Sequence, residues 1–317
     1  MIDTTYMRSE QPGPRLDYVM CASLAGTHRM AYWEWGDPDN DRVLLCVHGL
    51  TRTGRDFDLL AQRLATHYRV VCPDVVGRGK SDWLINAASY VVPQYVGDMI
   101  TLIARLKPTQ LDWVGTSMGG LIGLGLAGAL TMSALARPDR GSCGLPAENT
   151  ISLGKMVLND IGPKLSFAGL TRIAEYVGEP LKFDTFEKAV GYVRTVSAGF
   201  GNHDQNGWED LTRHVFNKQG DCWVKHYDLR IAEPFANESE AKIQASEAIL
   251  WAAYESINTP ILVVRGEESD LLTAEVATEM LQRNRHASLH NVPNVGHAPT
   301  FRSADQIDPL VEFLLEN

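Results

Sequence analysis

The stretch from Leu111 to Arg137 is the feature that most constrains the fold of this 317-residue chain. It begins with an apolar run, passes through Gly115-Thr116-Ser117-Met118-Gly119, and then carries no charged side chain up to residue 136. A stretch of that length could span a bilayer, but it contains a polar turn near its start and is rich in glycine. We therefore expect a buried strand, a sharp turn and a helix packed closely on a sheet.

The rest of the chain repeats this alternation of apolar runs and amphipathic segments, which is typical of a mostly parallel sheet covered by helices. A leading β-hairpin is expected before residue 40, and a surface loop from Arg137 to Asn149 is expected from its prolines and glycines. The other predicted strands are Arg42–His48, Tyr68–Asp74, Leu111–Gly115, Met156–Asp160, Thr259–Gly266 and Ala287–Val292.

No further strand is predicted between Asp160 and Thr259. Residues 164–245 show helical segments instead, at Leu165–Val177, Phe183–Val196 and Trp208–Phe216. The sequence therefore predicts an α/β core made of residues 1–163 and 246–317, with residues 164–245 inserted as a helical cap.

Composition places the chain among ordinary globular proteins, with 44% hydrophobic and 21% charged residues. Its net charge of −10 argues against nucleic acid and anionic membranes as partners. The five cysteines are scattered without CxxC spacing, and the first residues contain no apolar signal segment. These features favour a cytoplasmic protein, and the oligomeric state stays open.

Residues 115–119 match the pattern G-x-S-x-G, in which a strand-to-helix turn exposes the central serine as a nucleophile. A hydroxyl needs a neighbouring base to take its proton. Among nine histidines, His297 stands in a loop just past the last predicted strand. We therefore expect Ser117 to be the nucleophile and His297 the general base.

A carboxylate must hold the imidazole in the right tautomer. Asp270 follows the strand that ends at Gly266 and gives the chain order Ser, Asp, His. It is the favoured acid. Asp160, at the end of an earlier strand, competes with it and could otherwise shape the hinge of the cap.

The developing oxyanion needs two hydrogen-bond donors. The backbone N–H of Met118, directly after the nucleophile, is expected to supply one, and the N–H of Leu50, in the loop after the first buried strand, the other. His48 would then brace this loop and take no proton.

These motifs together resemble the α/β-hydrolase superfamily, closest to its capped, esterase-like members. The motifs span residues 41–300 and are His48-Gly49, Asp74 to Ser81, Gly115 to Gly120, and Asp270 with Gly296-His297. The resemblance implies an eight-stranded, mostly parallel sheet, a cap inserted after the sixth strand, and a hydrolase with no cofactor or metal.

The expected function is hydrolysis of a small-molecule carboxylic ester through an acyl-enzyme, a class that includes carboxylesterases, lactonases and hydrolases of short hydroxyacid oligomers. The alternative is cleavage of a carbon–carbon bond in a β-diketone or ring-fission product. A non-catalytic receptor that keeps the fold is a third hypothesis. Dehalogenase and epoxide hydrolase chemistry would need an aspartate nucleophile where Ser117 stands.

Two nucleotide-binding patterns are set aside. Residues 77–81 end like a Walker A loop, but Asp74 occupies the position of its first glycine. Residues 123–128 match GxGxxG, but the strand-to-helix turn that a dinucleotide would need is already formed around Ser117.

Overall fold

A computed structural model describes residues 13–135, 153–236 and 239–316, so the loop predicted from Arg137 to Asn149 lies outside the described residues. The strands, numbered in chain order, are β1 (Arg15–Ser23), β2 (Gly26–Trp35), β3 (Arg42–Val47), β4 (Arg69–Pro73), β5 (Gln110–Thr116), β6 (Leu153–Asn159), β7 (Lys182–Phe183), β8 (Phe216–Gln219), β9 (Cys222–Lys225), β10 (Ile261–Gly266) and β11 (Ala287–Val292). The helices are α1 (Asp58–Leu64), α2 (Val92–Leu106), α3 (Met118–Leu135), α4 (Phe167–Val177), α5 (Phe186–Val196), α6 (Gln205–Arg213), α7 (Glu233–Ala236), α8 (Glu240–Glu255), α9 (Ala274–Arg283) and α10 (Ala304–Leu315).

Eight strands form one sheet in the order β1-β2-β4-β3-β5-β6-β10-β11. In this sheet β1 and β2 pair antiparallel, as do β2 and β4. All the other neighbouring strands of the sheet pair parallel. Parallel neighbours require crossover connections, which here are the helices that cover the sheet. The predicted eight-stranded, mostly parallel sheet is confirmed.

The register of the central strands determines where their loops meet. Thr116, the last residue of β5, pairs with Asn159, the last residue of β6. Asn159 in turn pairs with Val264 of β10. Because the carboxyl ends of parallel strands meet at one edge, the residues that follow β5 and β6 lie side by side.

Helix α3 packs directly against the sheet, which explains its glycines. A Cβ atom on Gly119 would overlap the carbonyl oxygen of Val47, and one on Gly123 would overlap the indole of Trp113. The uncharged stretch is therefore a core helix, as the sequence predicted. Within the described ranges, none of the helices combines the length and the apolarity that crossing a membrane would require.

Between β6 and β10 the chain forms the expected helices α4, α5 and α6, but also three short strands that the sequence did not predict. These strands pair antiparallel in the order β7-β9-β8. They have two to four residues each, and β8 is mostly polar and exposed, so no alternation of apolar and polar residues marked them. The ring of Phe186 on α5 packs 4.7 Å from that of Trp223 on β9, which joins this small sheet to the helices between β6 and β10. The segment between β6 and β10 is called the insert below.

The boundaries proposed for the cap, 164 and 245, remain predictions. Residue 245 falls inside α8, which runs without interruption from Glu240 to Glu255. Near its C-terminal end this helix faces the main domain, because a Cβ on Gly128 of α3 would lie 3.2 Å from that of Ala253. The second boundary therefore cuts a continuous helix.

Candidate active site

Ser117 occupies the sharp turn between β5 and α3. Its φ of 50° lies in the left-handed region, a conformation that is unfavourable for residues with a side chain. Its backbone N–H donates to the carbonyl oxygen of Asn159 at 2.9 Å, which fastens the turn to β6. Side chains at Gly115 and Gly119 would overlap backbone atoms. The glycines of G-x-S-x-G are therefore required by close packing on both sides of the serine.

His297 lies against this serine. Its Nε2 is 2.8 Å from the Oγ of Ser117. The loop that carries it is held by the insert, because Gly296 donates its N–H to the carbonyl oxygen of Gly199 at 2.6 Å. The structure thus brings together the two residues that the sequence predicted as nucleophile and base.

Asp160 completes the hydrogen-bond chain. Its Oδ2 lies 2.7 Å from Nδ1 of His297, and its side chain is fully buried. The same oxygen accepts the hydroxyl of Ser269 at 2.5 Å, and Oδ1 accepts the N–H of Gly266 at 2.8 Å. Hydrogen bonds to both of its oxygens therefore fix the orientation of the Asp160 carboxylate towards His297.

The expectation that Asp270 orients His297 is wrong. Both carboxylate oxygens of Asp270 accept hydrogen bonds from the guanidinium of Arg172 on α4, at 2.7 and 2.8 Å. The Arg172 guanidinium also holds the pKa of Asp270 below its usual value. Asp270 stands four residues beyond the end of β10, whereas Asp160 directly follows β6, the strand next to the serine. Position in the sheet therefore favours Asp160, the competing acid.

His48 braces the loop after β3, as the sequence predicted. Its Nδ1 lies 2.7 Å from the carbonyl oxygen of Gly49, and its Nε2 accepts the N–H of Val75 at 2.9 Å. This pair of contacts places the proton on Nδ1. In a trans peptide the C=O and the next N–H point in opposite directions, so holding the Gly49 carbonyl also fixes the direction of the Leu50 N–H.

Among the residues that the structure describes, the N–H groups of Leu50 and Met118 have no backbone acceptor. Outside regular helices and strands, neither N–H donates a backbone hydrogen bond in residues 13–135, 153–236 and 239–316. Met118 is the first residue of α3, where an N–H has no partner within its own helix. Their role as oxyanion donors stays a prediction.

Protonation of His48 will contribute to acid unfolding. Burial lowers the pKa of His48 to about 3, from the 6.5 of an unburied imidazole. Between these values the unfolded chain binds the extra proton, so the free energy of unfolding decreases as the pH falls from about 6.5 towards 3. We expect His48→Gln to reduce that slope by up to about 1.4 kcal/mol per pH unit. Urea unfolding of wild type and His48→Gln across this pH range measures the two slopes. Equal slopes would contradict the lowered pKa of His48.

One group of potential metal ligands occurs elsewhere in the described part of the chain. Cys21, His28 and Asp98 are buried between the leading hairpin and α2, with ligand atoms within 4.8 Å of one another. Nε2 of His28 lies 3.0 Å from Oδ2 of Asp98. The group contains none of the residues around Ser117.

Known hydrolases resemble this chain in sequence and in structure. A model of the alpha/beta hydrolase family matches residues 44–309. A 3-hydroxybutyrate-oligomer hydrolase from Cupriavidus necator is 51% identical over 298 residues, which cover 93% of this chain and 95% of the relative. An alpha/beta hydrolase of known structure from Novosphingobium aromaticivorans is 32% identical, with a TM-score of 0.78 over 95% of this chain and 98% of its own. A Rickettsia typhi protein assigned as a hydrolase is 27% identical, with a TM-score of 0.80 over the same shares.

Proposed function

The chain belongs to the alpha/beta hydrolase family, and we propose that it hydrolyses the ester bonds of short 3-hydroxybutyrate oligomers through an acyl-enzyme on Ser117. The observation that carries this proposal is the continuous hydrogen-bond chain from Ser117 through His297 to Asp160. Serine, imidazole and carboxylate in this order can generate an alkoxide-like nucleophile at neutral pH.

In the first half of the reaction, Oγ of Ser117 attacks the ester carbonyl while Nε2 of His297 takes the hydroxyl proton. Asp160 keeps the other imidazole proton on Nδ1 and stabilises the cation that forms. The tetrahedral oxyanion accepts hydrogen bonds from the N–H groups of Leu50 and Met118. When the intermediate collapses, His297 returns the proton to the leaving alcohol, and the acyl group stays on Ser117.

The second half repeats these steps with water. His297 removes a proton from a water molecule, the resulting hydroxide attacks the acyl-enzyme, and the second tetrahedral intermediate releases the hydroxyacid and restores the serine hydroxyl. His297 makes every proton transfer of this cycle, and the protonated imidazole returns its proton to Oγ of Ser117 when the second intermediate collapses.

The substrate class rests on the Cupriavidus necator relative, which is described as a 3-hydroxybutyrate-oligomer hydrolase and aligns over nearly all of both chains. We also propose that residues 164–245 act as the cap that contacts the substrate. Two contacts support this: Gly199 holds the loop of His297, and Arg172 binds Asp270 beside the same site.

Hydrolysis of the 3-hydroxybutyrate dimer and trimer tests the substrate. We expect the release of 3-hydroxybutyrate, measured by liquid chromatography, with a higher kcat/KM than for p-nitrophenyl acetate. Turnover of p-nitrophenyl esters without any cleavage of the oligomers would reject the proposed substrate class but support the proposed esterase activity. No turnover of either would reject the proposed function.

A further inference from the structure

Arg78 is a fully buried arginine that has no carboxylate within ion-pair distance in the described part of the chain. A charge buried in this way is costly unless it is well hydrogen-bonded. Tyr90 and Tyr95 present their rings to the guanidinium, with centroids 5.7 and 5.2 Å from its central carbon. Such cation–π contacts offset part of the cost, but the positive charge is not neutralised.

The hydrogen bonds of this guanidinium lead to the proposed oxyanion hole. Nε donates to the carbonyl oxygen of Leu50 at 2.8 Å, and Nη2 lies 3.6 Å from the sulfur of Met118. Nη1 donates to the carbonyl oxygen of Val76 and the hydroxyl of Tyr95, at 2.7 and 3.0 Å. One side chain therefore touches both residues whose N–H groups we assign to the oxyanion.

The turn that carries Arg78 is held rigidly. Gly77 and Gly79 on either side of it have φ values of 85° and 56°, which a residue with a side chain rarely adopts. A Cβ on Gly77 would lie 2.6 Å from the ring of Tyr90, and one on Gly79 would overlap the carboxylate of Asp74. The turn that resembled the end of a Walker A loop instead fixes one arginine.

The same turn is bound to the insert. The carbonyl oxygen of Gly77 accepts the N–H of Asp228 at 2.8 Å, and the N–H of Gly79 lies 3.2 Å from Nδ1 of His226. Asp228 also accepts the hydroxyl of Tyr90 at 2.7 Å. Contacts on both sides of Arg78 therefore connect the proposed cap to the loop of Leu50.

We propose that Arg78 is a positioning residue for the oxyanion hole, fixing Leu50 and Met118 and placing a positive charge behind both N–H donors. This inference rests on the proposed function, because it concerns the transition state of ester hydrolysis. Donors and charges fixed before the reaction stabilise the oxyanion more than the uncharged ester. Loss of Arg78 should therefore act on kcat and leave KM nearly unchanged.

The test compares Arg78→Gln and Arg78→Lys with wild type on a p-nitrophenyl ester. We expect Arg78→Gln to lower kcat by roughly 100-fold, the order of losing one oxyanion donor. The affinity for a trifluoromethyl ketone, which forms a tetrahedral adduct with the serine, should fall by the same factor, whereas affinity for the product acid should hold. Arg78→Lys keeps the charge without the planar fork, so its loss should be intermediate.

Arg69→Gln is the matched control, because Arg69 pairs with Glu34 at the amino-terminal end of β4, and among the described residues no hydrogen bond or ion pair joins it to the loop of Leu50. It should behave as wild type. If Arg78→Gln does not fold, the ratio of the affinity for the ketone to the affinity for the product acid is measured on Arg78→Lys instead. An unchanged ratio of ketone to product affinity in a folded Arg78 variant would overturn the inference. A wild type that neither turns over esters nor binds the ketone would instead overturn the proposed function.

Discussion

Replacing Ser117 with alanine is expected to lower kcat for ester hydrolysis by a factor on the order of 10⁴–10⁶. The variant keeps His297, Asp160 and both N–H donors, but it has no oxygen to form the acyl-enzyme. Steady-state hydrolysis of p-nitrophenyl butyrate measures the loss, and Ser23→Ala at the end of β1 controls for general effects of removing a serine hydroxyl.

Serine and alanine both carry a Cβ and meet the same cost in the left-handed conformation of residue 117, so the replacement should not disturb the fold beyond the loss of one hydroxyl. Thermal unfolding will check this. Activity that survives in a folded Ser117→Ala variant would mean that another group is the nucleophile.

Asp160→Asn is expected to lower kcat by roughly 10⁴-fold, while Asp270→Asn keeps kcat near wild type. The asparagine amide can donate to Nδ1 of His297, which moves the imidazole proton to Nε2. That nitrogen can then no longer accept the hydroxyl proton of Ser117. The amide oxygen still accepts the N–H of Gly266, so the loop geometry should hold.

Asp270→Asn is the matched control, because it makes the same change on a carboxylate that binds only Arg172 among the described side chains. An exposed ion pair of this kind contributes about 0–1 kcal/mol to stability. The reverse result, with kcat lost in Asp270→Asn and kept in Asp160→Asn, would contradict the assignment of the acid.

The fold could be predicted from the sequence because its signals are local. The apolar runs of β3, β5 and β10 identify buried strands, and Gly115 to Gly119 identify the turn of Ser117. The sequence also predicted the leading hairpin and the helices α4, α5 and α6. It missed β7, β8 and β9, because strands of two to four residues carry no readable periodicity.

The acid of the site could not be decided in the same way. Asp160 and Asp270 each follow a strand, and their separation along the chain does not reveal which carboxylate reaches His297. The decision depends on strand order and register, which place Asn159 beside Thr116, and on the loop beyond β10, where Arg172 from a distant segment takes Asp270. Arg78 lies in the Asp74 to Ser81 motif of the resemblance and in the rejected Walker A pattern, but neither pattern reveals that its side chain reaches Leu50 and Met118.

Labelling with a fluorophosphonate tests the central claim most directly, because the reagent reacts with an activated serine and leaves a stable adduct. We expect stoichiometric labelling that peptide mapping places on Ser117, slowed strongly by Asp160→Asn and little changed by Asp270→Asn. Labelling of another residue, or a rate on Ser117 that does not depend on Asp160, would contradict a nucleophile activated through His297 and Asp160.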